Sequence, residues 1–340
     1  MLIPTLVPKG QFGAFMSTLR PFAAATDYIG LAAVIAAVWP DRDASLSTLQ
    51  HFDQTHSNGF FFQRFVLEQD GQMIAYCDYG EPADSYRPGK YWFELAVLPT
   101  QQGRGFGSAL YERMERELRQ RAQPLTMLTC KAREDQPAAL RFLHKRGYQQ
   151  VMRSHLASLD VAAFDPTPFA ALLPKVAATG IELVSLAELA ERDPDWQRKI
   201  YELDWECTLD EPLPDTPTKP SFEHYAAEIF GNPDFWPPAW FIAIDGGRYV
   251  GMTAANRNRR HPAQLDTFFT ATVRSHRRRG LATALKLRQL DYAQRHGYTR
   301  IKTDNEEHNP MYQINLALGF RPEPALLFFQ KQLYGSDDGR

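Results

Sequence analysis

Cysteine is scarce. Cys77, Cys130 and Cys207 are the only three in 340 residues, and they are widely spaced with no Cys-x-x-Cys pair. That excludes a disulfide framework and a thiolate zinc site, and it fits a reducing compartment. Charge of one sign is lacking too. Lys plus Arg number 38 against 40 Asp plus Glu, a net charge of −2, so bulk electrostatics gives no case for a nucleic-acid partner. No long hydrophobic run occurs. The most apolar stretch, Tyr28 to Trp39, falls short of the ~18 residues a membrane span needs, and Asp27, Asp41, Arg42 and Asp43 flank it. It reads as a buried, alanine-rich helix. Met1 to Gly10 has no basic stretch leading into an apolar core, so no secretory signal and no membrane partner are expected, and the expected location is the cytoplasm.

What is present is an ordinary globular composition, 44% hydrophobic, 12% aromatic and 23% charged. At roughly 150 residues per domain the length predicts about two domains. The sequence also repeats itself. FELAVLPT-QQGRGFGSALYERMERELRQR (93–121) and DTFFTATVRSH-RRRGLATALKLRQLDYAQRHG (266–297) each read as strand, loop and helix. Each continues through a β-rich stretch, Leu125 to Cys130 or Thr299 to Thr303, into a helix ending in Arg146-Gly147-Tyr148 or Leu318-Gly319-Phe320. Shared order, spacing and end signals indicate a duplication, with a period far too long for a solenoid. Asp165-Pro166-Thr167-Pro168 and Pro174 interrupt regular structure between the copies. The expected division is therefore a first domain over 1–165, a linker over 166–180 and a second domain over 181–340. Pro212 to Pro220 falls inside the second copy and reads as a loop on the site side.

Within each copy, strands alternate with helices. Phe61 to Gln69 and Met73 to Tyr79 read as a hairpin around Asp70-Gly71, and Trp240 to Ile244 with Tyr249 to Ala255 repeat it around Asp245-Gly246-Gly247. After Gly107, Leu110, Met114 and Leu118 recur at helical spacing, with Glu112–Arg116, Glu115–Arg119 and Glu117–Arg121 as i,i+4 pairs. Leu281, Leu285 and Tyr292 share a helix face in the second copy.

The strand–glycine loop–helix unit carries the chemistry. A helix start offers unpaired N–H groups and a positive dipole end, which suit a phosphate. Gln102-Gly103-Arg104-Gly105-Phe106-Gly107-Ser108 lets the backbone approach closely, and Arg277-Arg278-Arg279-Gly280-Leu281-Ala282-Thr283 offers fewer glycines but more positive charge. No Lys-Ser/Thr follows either loop, so a triphosphate P-loop is unsupported. Both loops come late in their copies, with Arg121 or Gly297 near the place where a dinucleotide fold needs an acid.

Val97-Leu98-Pro99 followed by Gln102, Gly105 and Gly107 resembles the signature of the GNAT acetyltransferase superfamily. Arg277, Gly280 and Ala282 repeat it, with Arg274 where the proline usually stands. Ala139-Leu140-Arg141-Phe142 through Tyr148 is similar to the family's closing helix. Asn305, Asn309, Met311, Ile314-Asn315 and Leu318 to Phe320 are similar to a tandem subgroup that includes mycothiol synthase. The resemblance runs from about Leu19 to Leu333. It implies an α/β (α+β) fold of two tandem domains, each a mixed, mostly antiparallel sheet flanked by helices with a splayed acyl-CoA cleft.

The resemblance further implies acetyl-CoA as the acyl donor and a primary amine of a small molecule or peptide as acceptor. Cofactor contacts carried over by position are Leu95, Ala96 and Val97 with Gln102 to Ser108, then Thr270, Ala271 and Thr272 with Arg277 to Thr283, and Asn305 and Asn309. Asp266 stands near the family's general-base carboxylate. Tyr91 takes its place in the first copy by sequence counting, and Glu94 there is expected on the opposite strand face. The family's thiolate-protonating tyrosine is replaced by Leu143 and Asn315, and Tyr312 lies one turn earlier. Asp266, Tyr312 and Asn315 are thus the catalytic candidates, and the second copy is the expected catalytic half. Asp204, Glu206, Asp210, Glu211 and Asp215, interleaved with Trp205, read as an acidic pocket for a cationic amine or as a solvated loop. His276 and His308 read as surface histidines, and no metal site is expected. A non-catalytic acyl-CoA-binding regulator, or two halves active on different acceptors, stays open. Internal pseudo-symmetry is compatible with a monomer, and a homodimer stays open as well.

Overall fold

The computed structural model describes residues 5–6, 17–56 and 59–333. Apart from Thr5–Leu6, the segment read for a leader, Met1 to Gly10, lies outside them. The chain forms two compact units, one from Met1–Met152 with Leu326–Arg340 and the other from Arg153–Ala325. Unit one contributes β1 (Thr5–Leu6), β2 (Ser17–Pro21), α1 (Tyr28–Val38), α2 (Leu46–His56), β3 (Phe62–Gln69), β4 (Gln72–Gly80), β5 (Lys90–Val97), α3 (Phe106–Arg119), β6 (Met127–Arg133) and α4 (Pro137–His144). The strand β7 (Gln149–Asp160) leads into unit two, which opens with α5 (Leu172–Ala177), β8 (Glu182–Ser185), α6 (Leu186–Arg192), α7 (Trp196–Thr208) and α8 (Phe222–Tyr225). It continues through β9 (Phe241–Asp245), β10 (Arg248–Arg257), β11 (Gln264–Thr272), α9 (Leu281–Arg295), β12 (Arg300–Glu306), α10 (Pro310–Ala317) and β13 (Arg321–Pro322). The last strand, β14 (Leu326–Gln332), returns to unit one.

Local chemistry explains most of these elements. Asp70 and Gly71 both take positive φ, 52° and 78°, and Gly246 and Gly247 do the same at 54° and 85°, which is the twist a tight hairpin needs. Pro137 and Pro310 start α4 and α10, where a missing N–H costs nothing. Ser185 and Glu188 form a reciprocal capping box on α6. On α3, Phe106, Leu110, Tyr111, Met114 and Leu118 are buried as one stripe. The Glu115–Arg119 pair forms at 2.6 Å. The expected Glu117–Arg121 pair is replaced, because α3 ends at Arg119. Glu117 instead binds Arg113 at 2.6 Å and the Tyr79 hydroxyl at 2.8 Å, while Arg121 stacks 3.6 Å above the Phe61 ring.

Unit one's sheet runs β1-β2-β3-β4-β5-β6-β14 and unit two's runs β8-β9-β10-β11-β12-β7. Within each of these two strand runs the pairings are antiparallel except β5 with β6 and β11 with β12. In unit one, α1 and α2 bury Leu31, Val34, Ile35 and Leu49 against Val66, Tyr76 and Ala96. In unit two, α6, α7 and α9 bury Leu189, Ile200, Leu203 and Leu285 against Phe241, Ile242 and Met252. A second cluster joins Leu287 and Leu290 of α9 to Leu159, Ile301 and Phe320. Among the described residues no helix is long and apolar enough to cross a membrane.

Two boundaries differ from the sequence-based division. The stretch 166–180, read as a linker, carries α5, and Val176 from it is buried in unit two's core. The last strand does not belong to the second copy's sheet. β14 pairs with β6 along its whole length, Leu326 opposite Arg133 through Gln332 opposite Met127. β7 meanwhile pairs with β12, Asp160 opposite Arg300 through Ser154 opposite Glu306. Each copy's sheet is thus completed by the strand that follows the other copy's closing helix. Non-local pairing of this kind leaves no mark in local sequence.

Phe329 on β14 is 1% exposed. Phe329→Ala is expected to cost about 3 kcal/mol and to raise amide exchange in Met127–Arg133 while sparing β9 and β10. Hydrogen exchange read by segment checks both parts.

Candidate functional site

Each unit contains a fork. β5 pairs with β6 only at Lys90, Tyr91 and Trp92, and β11 pairs with β12 only at Gln264, Leu265 and Asp266. Beyond these rungs the parallel strands part. β5 keeps its other edge on β4 through Val97, and β11 keeps its own on β10 through Thr272. Leu95 to Val97 and Thr270 to Thr272 are therefore bound on one side, and no register pairs them with β6 or β12.

The loops after these strands follow one design. A 3-10 turn, Pro99–Gln101 or Arg274–His276, leads into Gln102 or Arg277 at nearly identical dihedrals (φ −67°, ψ 160° and φ −68°, ψ 159°). The Gln102 amide donates to the Val97 carbonyl at 3.1 Å, and the Arg277 Nε donates to the Thr272 carbonyl at 3.0 Å. Gly105 and Gly280 then enter the helix at φ 88° and 83°, in left-handed backbone that only glycine adopts without strain. Gly103, at φ 76°, corresponds to Arg278 at φ 61°, a strained backbone for a side-chain-bearing residue. The first intrahelical bonds are Ala109 N–H to Gly105 and Ala284 N–H to Gly280. No side chain caps either helix start, so the amides of Phe106 to Ser108 and Leu281 to Thr283 lead outward, a ready cradle for an anion. Arg104 binds Gln101, Ser108 accepts from Arg146 at 2.8 Å, and Arg277 to Arg279 are exposed.

A bulge separates the two forks. Pairing between β10 and β11 steps from Ala254–Phe269 to Ala255–Thr267, leaving Phe268 as an extra residue. β4 and β5 pair without interruption. The extra residue corrects the sequence correspondence: Asp266 matches Trp92 rather than Tyr91, since each is the third rung of its fork. Glu94, two residues from Trp92, consequently shares the face Asp266 occupies, so its orientation does not disqualify unit one. Its chemistry separates it instead. Glu94 binds Arg42 at 2.7 Å and the Tyr76 hydroxyl at 2.5 Å. Burial would raise its pKa, but the Arg42 charge and these hydrogen bonds outweigh that and hold the carboxyl below its usual range.

In unit two, Asp266 ends the paired rungs. Asn258 Nδ2 donates to one carboxylate oxygen at 2.8 Å and Gln264 Nε2 to the other at 2.7 Å, which fixes its orientation. The acidic region resolves into separate roles. Asp210 binds both Arg274 and Arg277, and Glu206 binds Arg248 at 2.9 Å. Asp204 is buried on α7, accepts from the Tyr225 hydroxyl, and is pushed up to about 6 by desolvation. Glu211 rises to about 7, by desolvation and then by the negative charges of Asp304 and Asp204. Asp304 lies on β12 past the fork and was not singled out by sequence, because an exposed strand aspartate carries no local signal.

The closing helix brings some candidates together and separates others. Asn315, fully buried, donates from Nδ2 to Asn305 Oδ1 at 2.5 Å. Asn309 spends its side-chain oxygen on the α10 cap, accepting from Met311 N–H at 2.9 Å. Tyr312 stacks on His155 with ring centroids 4.3 Å apart. His276 is tied between Ser275 and Asp245, and the His308 side chain is 85% exposed.

The family model for the Acetyltransferase (GNAT) family matches twice, at residues 27–148 and 198–320. No curated protein matches the chain. Among solved structures, a tandem GNAT protein from the clavulanic acid biosynthesis pathway, solved without AcCoA, aligns over 94% of this chain and 100% of its own, with a TM-score of 0.74 and 20% identity. A GCN5-related N-acetyltransferase from Sphaerobacter thermophilus aligns over 93% and 95%, with a TM-score of 0.66 and 18% identity. The two family matches cover most of the chain, and it belongs to the GNAT acetyltransferase family as a tandem member.

The raised Asp204 carries a sign. The native state binds its proton more tightly than the unfolded chain, so stability declines as pH rises from about 4 to about 6 and stays lower above that. Asp204→Asn keeps an acceptor for Tyr225 and removes the penalty. It is expected to stabilise the protein at pH 7 by about 2 kcal/mol and to have little effect at pH 3.5, as urea unfolding at both pH values reads.

Proposed function

We propose that this GNAT-family chain transfers an acetyl group from acetyl-CoA to a primary amine, with unit two as the catalytic half. The observation that supports the reading most is the paired construction of fork, left-handed glycine and uncapped helix start, present in both units. The residues fit the donor. Uncapped helix starts and the exposed arginines Arg277 to Arg279 suit a pyrophosphate, and the unpaired edge of Thr270 to Thr272 suits the amides of the pantetheine arm. Leu95 to Val97 with Gln102 to Ser108 form the equivalent in unit one. When bound, the donor supplies an activated thioester carbon.

The remaining work falls to this chain's side chains. Asp266, held by two amide donors at the point of the fork, takes the proton the amine surrenders, directly or through water. Asp204, Glu211 and Asp304 gather negative charge beside the fork and attract a cationic ammonium acceptor, a small molecule or a peptide terminus. Asn315 and its partner Asn305 orient the donor's sulfur end, and Tyr312 lies one turn away. The Arg42–Glu94 pair leaves unit one without a free base, which supports a donor-binding or scaffolding role there. Asp210, by occupying Arg274 and Arg277, competes with the phosphates for those guanidiniums.

Free-thiol release from acetyl-CoA against a panel of primary amines tests this reading. At least one amine is expected to drive turnover, and Asp266→Asn to lower kcat about 100-fold or more. Donor binding with no release by any amine would leave a regulatory binder instead. Asp210→Asn frees both Arg274 and Arg277 and is expected to tighten CoA binding about fivefold, the scale of a surface ion pair, with a steeper salt dependence. Calorimetry at two ionic strengths checks it.

A further inference from the structure

The two units differ most sharply in a set of buried side chains under the fork. In unit one, Phe93 of β5, Tyr111 of α3 and Tyr148 after α4 form an aromatic cluster, with centroids 5.7 Å (Phe93–Tyr111), 5.8 Å (Phe93–Tyr148) and 6.3 Å (Tyr111–Tyr148) apart. The two tyrosine hydroxyls satisfy each other at 3.1 Å, and Leu143 is buried on the same closing helix. The corresponding residues of unit two follow from features already described. The fork rungs and the bulge set Thr267 against Phe93. The helix starts set Lys286 against Tyr111, and the closing glycines set Asn315 against Leu143 and Phe320 against Tyr148.

Three of four positions have therefore turned polar, and each is unsatisfied. Lys286 is 2% exposed and Asn315 is 0% exposed. Lys286 Nζ, Asn315 Oδ1 and Thr267 Oγ1 find no hydrogen-bond partner among the described residues. Lys286 has only the Phe320 ring, 5.3 Å from Nζ, and the Phe320 N–H binds the Asn315 carbonyl at 3.0 Å. Its pKa falls to about 8, and burial alone causes the shift, with no carboxylate acting on it. Burying an ammonium and leaving it unpaired is among the costliest arrangements a fold can hold. The sister unit shows that the same scaffold packs this space with aromatic rings.

The position of these three residues says what would complete them. With phosphates at Gly280 and the pantetheine arm along Thr272 to Thr270, the acyl end arrives at Thr267 to Phe269, the bulged stretch that carries the unsatisfied Thr267 hydroxyl. We propose that unit two prefers an acyl-CoA whose acyl chain ends in a carboxylate, of the malonyl or succinyl class, with Lys286 pairing that carboxylate and the Thr267 hydroxyl donating to it. This inference rests on the CoA-thioester part of the reading above and replaces its acetyl group in unit two: unit two selects its donor by charge, while unit one's aromatic cluster holds no cation at the Lys286 position.

Calorimetry on the full chain carrying Gly105→Glu, which confines binding to unit two, provides the test. Free CoA, butyryl-CoA and succinyl-CoA are the probes, the last two matched in length and differing in charge. Succinyl-CoA is expected to bind about tenfold or more tighter than butyryl-CoA, the worth of one buried charge-assisted pair. Lys286→Met should collapse that ratio to near one, and Thr267→Val should lower it partway in a background that keeps the lysine. A melting curve confirms that each variant is folded. Equal affinity for the two esters, or a preference that survives Lys286→Met, overturns the inference while the acyl-CoA reading stands. No binding of free CoA or either ester overturns the acyl-CoA reading itself, and this inference with it.

Discussion

Each site depends on a parallel pairing that stops after three rungs. A parallel sheet that stayed closed would satisfy its backbone and leave nothing for a ligand to pair with. A sheet that never joined would not hold the loop in place. Lys90 to Trp92 and Gln264 to Asp266 fasten the strands, and beyond them one edge of β5 and of β11 is released. The glycine loop then turns from that edge into a helix whose first amides lead outward. The Gln102 amide and the Arg277 guanidinium tie each loop to the strand's last carbonyl. Backbone geometry alone thus makes two matched forks, and their side chains differ.

The side chains have diverged in a consistent direction. Unit one has closed its fork chemically, pairing Glu94 with Arg42 and packing Phe93, Tyr111 and Tyr148 beneath it. Unit two differs at each of these places. Asp266 accepts from the side-chain amides of Asn258 and Gln264, Glu211 shares its surroundings with Asp304 and Asp204, and Lys286 Nζ is buried with no hydrogen-bond partner among the described residues. One half is packed with aromatic rings, and the other carries the cost of unsatisfied buried polar atoms.

Local patterns made much of this legible in sequence. The duplicated loops, both hairpins, the α3 stripe and the closing helices depend on residues a few positions apart, and they fold where their periodicity places them. Long-range features were not legible. The exchange of β7 and β14 between the two sheets obeys no local rule, and the apparent linker over 166–180 folds because Val176 finds a core that sequence cannot display. The bulge at Phe268 shifted one correspondence by a residue, enough to match Asp266 with Tyr91 instead of Trp92. Asp304 and Lys286 escaped notice because aspartate on a strand and lysine on a helix are ordinary until their surroundings are known.

The central claim is that both left-handed glycine loops grip the donor, and binding stoichiometry tests it most directly. Acetyl-CoA titrated by calorimetry into the intact chain should show two sites, with Gly105→Glu removing one and Gly280→Glu the other. Absence of binding, or binding that neither substitution disturbs, would contradict the account.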